Sequence, residues 1–357
     1  MYLKSEVYRN DLEQAIRGTV DFEKLFHKRI LVTGATGMIG SFITDMLLHA
    51  NRTAGAGVEV YALARSREQL MLRFCSSQSE KNLRFRIQDV TEPLQADICA
   101  DYIIHAAGDG FPAAFRKHPV ETMTPALLGT CQLLQYAREH PVEKFLYISS
   151  GEVYGKSSGT DHAFHEEEGG LLDSMDVRNC YPVSKRCGEA LCASFAAQYH
   201  VPAAVVRLSH VYGACTSAHD NRAVGQFLQN AAAGKEIVLH SAGKQLRSYT
   251  YVADCASGIL TALLDGVSGE AYNVANKDSI LTIAEFAALL SETAKVGCIR
   301  KIPDETEEKE HTPIEYAVLD ASRLERLGWS GQYNPDKGIK HMLEIRKTVG
   351  EIWKQTK

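Results

Sequence analysis

The chain has 357 residues, 45% of them hydrophobic, and its 44 acidic side chains outnumber 39 basic ones to leave a formal net charge of -5. That apolar fraction excludes intrinsic disorder, and the length suits one large α/β domain or a main domain with a smaller partner. Mild acidity gives no overall field for nucleic acid or an anionic membrane, so anion chemistry has to rest on a local basic pocket.

The nine cysteines are scattered, with no C-x-x-C pair, so reduced and mostly buried thiols are expected rather than a zinc knuckle or a redox motif. The histidines show no metal-ligand spacing, His162 and His165 included, and no metal is expected. The opening MYLKSEVYRNDLEQAIRG is charged where a signal peptide needs an apolar stretch. No run reaches the roughly 18 apolar residues of a membrane span. A soluble cytoplasmic protein, without membrane or nucleic-acid partners, is the expectation.

In chain order, Asp11 to Phe26 has a helical rhythm through Leu12, Ala15 and Ile16, and residues 1–27 read as an N-terminal helical extension. Arg29 to Thr33 is a short apolar run typical of a buried strand, a glycine-rich turn follows, and helical spacing resumes over Ser41 to Ala50. The alternation recurs. VEVYALAR, RFRIQDV, DYIIHAAG, EKFLYISS and PAAVVRLS read as strands, with a helix over Thr122 to His140 among the segments between them. Alternating β and α with continuously apolar strands predicts an α/β fold with a doubly wound parallel sheet of Rossmann type over residues 28–208. Beyond Ser209 the pattern loosens into shorter helices (Val224 to Ala233, Val252 to Leu264, Ile283 to Thr293) and polar loops, with an acidic loop over 304–310. Residues 209–357 therefore read as mainly a smaller substrate-binding domain, interleaved with elements returning to the first.

Gly34, Gly37 and Gly40, with Thr36, Met38 and Ile39 between them, form a G-x-x-G-x-x-G turn directly after a strand and opening a helix. Such a turn lets backbone approach a pyrophosphate and aims a helix N-terminus at it, which points to NAD or NADP. The end of the second strand reads Ala64-Arg65-Ser66-Arg67 where a carboxylate would bind the NAD ribose. Arg65 suits a 2′-phosphate and favours NADP. Asp89 and Val90, ending the third strand, are placed to contact adenine, and Ala106, Ala107 and Gly108, ending the fourth, let the backbone come close to the cofactor.

Tyr181 and Lys185 lie four residues apart, hence on one face of a helix. A tyrosine near pKa 10 is a poor base at neutral pH, and a neighbouring ammonium together with the nicotinium charge would lower it. Lys185 is also placed to hold the nicotinamide ribose. Ser150, at the end of EKFLYISS, would hydrogen-bond the same substrate oxygen as Tyr181.

Taken together, GATGMIG, HAAG, YISSGEVYG, YPVSK, VYG after VVRLSH, and RSYTYVAD resemble the extended short-chain dehydrogenase/reductases that modify nucleotide sugars, from about Lys28 to Gln332. The resemblance implies a nucleotide-diphosphate sugar substrate, transient oxidation of a sugar hydroxyl, usually at C4, and a homodimer built through the helices over 122–140 and 181–198. Epimerases of this kind return hydride to the other face, 4,6-dehydratases eliminate water across C5 and C6, and uronate decarboxylases lose carbon dioxide. Dehydratases resembling this chain carry an acidic pair where it has Gly151-Glu152. Glu152 is thus retained to act near C5 while the C6 acid is missing, a change that a β-keto acid losing carbon dioxide tolerates. Arg178-Asn-Cys-Tyr181 and Gly243-Lys-Gln-Leu-Arg247-Ser-Tyr resemble the corresponding stretches of UDP-glucuronate decarboxylases. By the same resemblance Arg222 and Arg247 bind the diphosphate or position the substrate. His210, standing where most members have asparagine, donates to a sugar or phosphate oxygen. The expected order is decarboxylation, then 4,6-dehydration, then 4-epimerisation. A simple keto-reductase is a further alternative. A catalytically silent cofactor-binding regulatory protein is the reading from another class, and the intact Ser150, Tyr181 and Lys185 speak against it.

Overall fold

The runs read as strands are buried as a sheet covered on both faces requires. In chain order the strands are β1 Arg29–Thr33, β2 Glu59–Ala64, β3 Leu83–Ile87, β4 Tyr102–His105, β5 Lys144–Ser150, β6 Ala203–Leu208, β7 His210–Tyr212, β8 Ile237–Leu239, β9 Leu246–Tyr251, β10 Ala271–Val274, β11 Ile280–Thr282, β12 Cys298–Arg300 and β13 Tyr316–Ala317. The computed structural model describes residues 1–156, 162–216, 220, 222–301 and 314–355. The acidic stretch 304–310 and residues 217–219 lie outside these described residues.

Seven strands form one parallel sheet in the order β10-β6-β5-β4-β1-β2-β3. Strand order reverses at β1, which pairs with β4 on one side and β2 on the other. In an open α/β sheet the crevice beyond the carboxyl ends of the strands at such a reversal is where ligands bind. A smaller sheet joins β11, β9 and β13, with β7 also paired to β9, and β8 pairs with β12. The seventh strand, β10, returns from the C-terminal half, so the two regions share one core.

The helices are α1 Glu6–Arg17, α2 Met38–Ala54, α3 Arg67–Arg73, α4 Pro112–Lys117, α5 Pro119–Thr124, α6 Thr130–Glu139, α7 Cys180–Tyr199, α8 Ala223–Ala232, α9 Val252–Asp265, α10 Ile283–Ala294, α11 Ser322–Glu325 and α12 Pro335–Gln355. The single helix expected over Thr122 to His140 is interrupted. A π-helical stretch, Pro125–Gly129, joins α5 to α6, where Pro125 has no N–H to continue the α-helical ladder.

Residues 1–27 are less of an extension than their position suggests. Ser5 caps α1, which ends at Arg17, short of the expected Phe26; Phe22–Leu25 forms a separate 3-10 turn. Tyr8, Leu12, Ala15, Phe22 and Leu25 are buried and belong to the main core. Asp11, fully buried, accepts hydrogen bonds from Tyr251 Oη at 2.6 Å and Tyr333 Oη at 2.8 Å and meets His341 Nδ1 at 2.7 Å. With Tyr8 Oη donating to Asp45 of α2 at 2.8 Å, the N-terminal helix ties β9 and α12 to α2.

The cysteines are free, as expected, but five of them (Cys75, Cys99, Cys131, Cys187 and Cys298) are exposed and only Cys180, Cys192 and Cys255 are fully buried. Cys131 and Cys187 sit on solvent-facing positions of α6 and α7, which an apolar-residue count cannot distinguish from the inner face. Among the described residues no helix is long and apolar enough to cross a membrane, and no group of three or more His, Cys, Asp or Glu could hold a metal ion.

Candidate active site

β1 ends at Thr33, and the chain turns at once through Gly34, whose φ is +63° and where a Cβ would stand 2.5 Å from the Ala106 carbonyl oxygen. Only glycine fits both constraints. Within α2, a Cβ on Gly40 would lie 2.5 Å from the Gly34 carbonyl oxygen. The turn, the first coil of α2 and the end of β4 therefore pack backbone against backbone. Gly37 is the N-cap of α2 and offers no side chain, so the N–H groups at Met38, Ile39 and Gly40 are left for an anion at the positive end of the helix dipole. These residues fit the pyrophosphate of a dinucleotide.

Beneath the turn, Thr33 Oγ1 accepts from the N–H groups of Ala106 and Ala107, both at 3.2 Å, and meets His105 Nδ1 at 2.8 Å. His105 Nε2 lies 3.1 Å from the Pro125 carbonyl oxygen. Burial, with the Lys185 charge assisting, pushes the imidazole down to about 3, so it is neutral and donates to Pro125 while accepting from Thr33.

A cleft of about 1540 Å³ runs along the carboxyl edge of the sheet. That exceeds the roughly 300–1,000 Å³ of a site for one drug-sized ligand and gives room for two elongated ligands side by side. Gly34, Thr36, Gly37, Met38, Ile39, Gly40, Ala106 and Gly108 line one part of it, and Ser150, Glu152, Tyr181, Lys185, His210, Arg222 and Arg247 line the other.

At the centre, Ser150 ends β5 and its Oγ accepts the Glu152 N–H at 3.2 Å. Tyr181, one turn before Lys185 on α7, is hydrogen-bonded to the Ser150 side chain. Burial and then the Glu152 carboxylate push the Tyr181 phenol up to about 12, against the opposing influences of the Ser150 bond and the Arg222 charge. Lys185 Nζ donates to the Ile148 carbonyl at 2.7 Å and stands 4.8 Å from the Tyr147 ring centroid and 5.8 Å from that of Tyr181. Burial pushes the ammonium down to about 8, with Glu189 and Cys192 opposing. The charges that bear on Tyr181 here are thus Glu152 and Arg222, while Lys185 is turned toward the β5 backbone.

Within reach of the Tyr181 phenol, Arg222 is fixed by Asp220 through Nε at 3.0 Å and Nη2 at 2.7 Å. Arg247 lies in β9, five residues before the first residue of α9, and is almost wholly buried. Its Nη1 donates to the carbonyls of Leu246 and Glu315 at 2.9 and 3.0 Å, and its Nη2 donates to that of Ile314. His210 opens β7; burial, then the Arg247 and Arg222 charges, hold its imidazole down at about 3. It is a neutral imidazole in the cleft lining, its ring 5.9 Å from that of Tyr249.

Four expected residues stand outside the lining. Arg65 is exposed at the end of β2. Asp89 is occupied with its own turn, accepting from Thr91 N at 2.9 Å and Thr91 Oγ1 at 2.8 Å. Val90 is buried, and a Cβ on Gly129 would come within 2.7 Å of its Cγ1. Ala107 gives its N–H to Thr33. The structure also adds two residues that the site assignment missed. Phe115 lies parallel to Tyr181, ring centroids 4.6 Å apart at 9°, and Arg178 pairs with Glu152. Their one sequence signal is proximity: a glycine-flanked aromatic stretch follows HAAG, and Arg178 is three residues ahead of Tyr181.

Residues 30–275 match the NAD dependent epimerase/dehydratase family. The chain belongs to this family. Over 320 residues, covering 89% of this chain and 72% of the relative, it is 28% identical to UDP-glucuronic acid decarboxylase 1 of Danio rerio. Its fold is similar to that of DesIV, a dTDP-glucose 4,6-dehydratase from Streptomyces venezuelae with NAD and TYD bound, at a TM-score of 0.77 and 22% identity over 92% of this chain and 100% of the other. It is also similar to UDP-glucuronic acid 4-epimerase from Bacillus cereus in complex with UDP-glucuronic acid and NAD, at a TM-score of 0.75 and 24% identity over 90% and 99%.

Proposed function

We propose that the protein decarboxylates a UDP-uronic acid such as UDP-glucuronate, using NAD(P) held in the glycine-turn part of the cleft. One observation carries the reading: hydrogen-bonded Ser150 and Tyr181 line the same cleft as the uncapped start of α2 and as Arg222 and Arg247. Bound NAD(P) supplies the hydride acceptor for C4 and the hydride that returns there once carbon dioxide has left and C5 has been protonated. Tyr181 Oη takes the proton of the sugar 4-hydroxyl, and Ser150 Oγ bonds the same oxygen and orients it. Lys185 sits one turn away from Tyr181, placed to hold the nicotinamide ribose. The C4 ketone is β to the C6 carboxylate, so loss of carbon dioxide leaves its electrons on the C4 oxygen, where Ser150 and Tyr181 donate. Gly151, where a dehydratase of this kind carries an acid, supports decarboxylation over 4,6-dehydration. A Cβ at Gly151 would stand 3.2 Å from Leu319 Cδ1, so the position is also sterically tight.

NADP, with its 2′-phosphate, is part of the proposal through Arg65, which is exposed just beyond β2. A homodimer through α5, α6 and α7 is supported by Val120 and Leu128, exposed by 65% and 54% on that face. The deciding experiment supplies UDP-glucuronate and NAD(P) to the protein and follows carbon dioxide and the nucleotide product. Carbon dioxide with a UDP-pentose supports the reading. A C4 epimer without carbon dioxide, or a 4-keto-6-deoxy product from an NDP-hexose, assigns the chain to the epimerase or dehydratase reaction instead. Bound cofactor with no turnover of any nucleotide sugar would leave the regulatory role.

A further inference from the structure

Arg178 lies against both Glu152 and the ring stacked on Tyr181. It occupies the 3-10 turn Val177–Asn179 that leads into α7, a turn capped by Asp176. Its Nη1 stands 3.3 Å from Glu152 Oε2, and the pair is mostly shielded, with side-chain exposures of 15% and 27%. The same guanidinium lies over the Phe115 ring, 5.1 Å from the centroid. Phe115 is also stacked on Tyr181, and Cys180 Sγ donates to the Phe115 carbonyl at 3.5 Å. Phe115 itself has no exposed surface. A single side chain therefore touches the carboxylate facing Tyr181 and the ring on which Tyr181 rests.

We propose that Arg178 is a positioning residue for Tyr181, fixing its charge environment through Glu152 and its ring plane through Phe115. The inference rests on the reading of Tyr181 as the base. The groups facing Tyr181 are Ser150 and Glu152 from the end of β5 and the turn after it, Tyr147 from β5, Arg222 from the start of α8 and Phe115 from α4, with Lys185 of α7 nearby but its ammonium turned to the Ile148 carbonyl. Of these charged groups Glu152 alone opposes formation of a phenolate. Like charge beside an ionising group disfavours its charged form, and an ion pair shielded from solvent is little screened by salt. Arg178 offsets that charge at its source. A purely structural role, anchoring the turn before α7, would leave the ionisation of Tyr181 where it is.

The test follows Tyr181 directly, by the ¹³Cζ resonance of labelled tyrosine in the full-length NAD-loaded protein, assigned by its loss in Tyr181→Phe. Arg178→Met should raise the titration midpoint by about one pH unit or more, and adding Glu152→Gln should bring it back close to wild type. Arg178→Lys, which restores charge without the planar stack, should raise it by about half as much. It replaces the Met variant should that fail to fold. An unchanged midpoint in folded Arg178→Met or Arg178→Lys, or a rise that Glu152→Gln does not reverse, would overturn the proposal. None of these readings needs turnover. Failure to release carbon dioxide from UDP-glucuronate sinks the functional reading alone, and an unmoved midpoint sinks the role of Arg178 alone.

Discussion

Tyr251 donates its hydroxyl to Asp11 across 2.6 Å and 240 residues of sequence, so the N-terminal helix is bonded into the C-terminal half at a fully buried carboxylate. Tyr333 and His341 meet the same group. Removing it would leave two buried hydroxyls without their acceptor, a cost of the order of the lost charge-assisted bonds. Asp11→Ala should lower stability by about 3 kcal/mol, read as the shift of a urea unfolding midpoint, and Asp11→Asn by less. A midpoint unmoved in Asp11→Ala would show that α1 docks by its apolar face alone.

What the sequence revealed and what it hid divide along physical lines. Continuous apolar strands such as KFLYISS carry their burial in their own composition, and the six strands from β1 to β6 lie where periodicity put them. The glycine turn was legible because its spacing and its place after a strand answer to one ligand. Phe115 was not legible. An aromatic residue on a short helix gives no sign of which ring it will meet, and its partner is 66 residues away. The pairing of Arg178 with Glu152 and the burial of Asp11 are likewise long-range facts. Arg65 and Asp89 were read from strand ends, and the rotamers that turn one outward and the other onto Thr91 are not encoded there.

His105 makes acid a specific liability. Its folded value of about 3 lies below the ordinary 6.5, so the unfolded chain takes up the proton first. Stability is therefore intact above about pH 6.5 and declines as pH falls toward 3, by about 2 kcal/mol from this group at pH 5. His210, held down in the same direction, adds to the slope. Thermal melts from pH 7.5 to 5 should show the loss. His105→Asn should be less stable at pH 7.5 yet lose less on acidification, and an identical slope in the variant would assign the acid sensitivity elsewhere.

Lys185 trades stability for its place beside Tyr181. Its folded value of about 8 is below the usual 10.5, so the charged form is disfavoured by folding at every pH below 8. That penalty is relieved as pH rises from about 8 to 10.5. Lys185→Met removes it together with the bond to the Ile148 carbonyl. The net expectation at pH 7 is a gain of about 1 to 2 kcal/mol with turnover abolished. A destabilised Lys185→Met would mean that the bond to Ile148 outweighs the cost of burying the ammonium.

Gly34 and Gly55 share a φ of +63° and differ in what surrounds them, which separates backbone strain from fit. A Cβ at Gly55 meets nothing within 4 Å, whereas at Gly34 it would stand 2.5, 2.7 and 2.8 Å from backbone atoms of Ala106 and Ala107. Alanine at Gly55 therefore brings strain alone, about 1 kcal/mol, and leaves the cleft as it is. At Gly34 the same strain is joined by displacement of the β4 end from the turn, which shifts the N–H groups at Met38 to Gly40 relative to the rest of the cofactor cleft. Gly34→Ala should weaken NADH binding about tenfold or more, a loss of at least about 1.4 kcal/mol, while Gly55→Ala binds as wild type does. Fluorescence titration of both variants decides the matter. Equal weakening in the two would mean that strain propagates along α2, and equal binding would mean that the pyrophosphate does not rest on this turn.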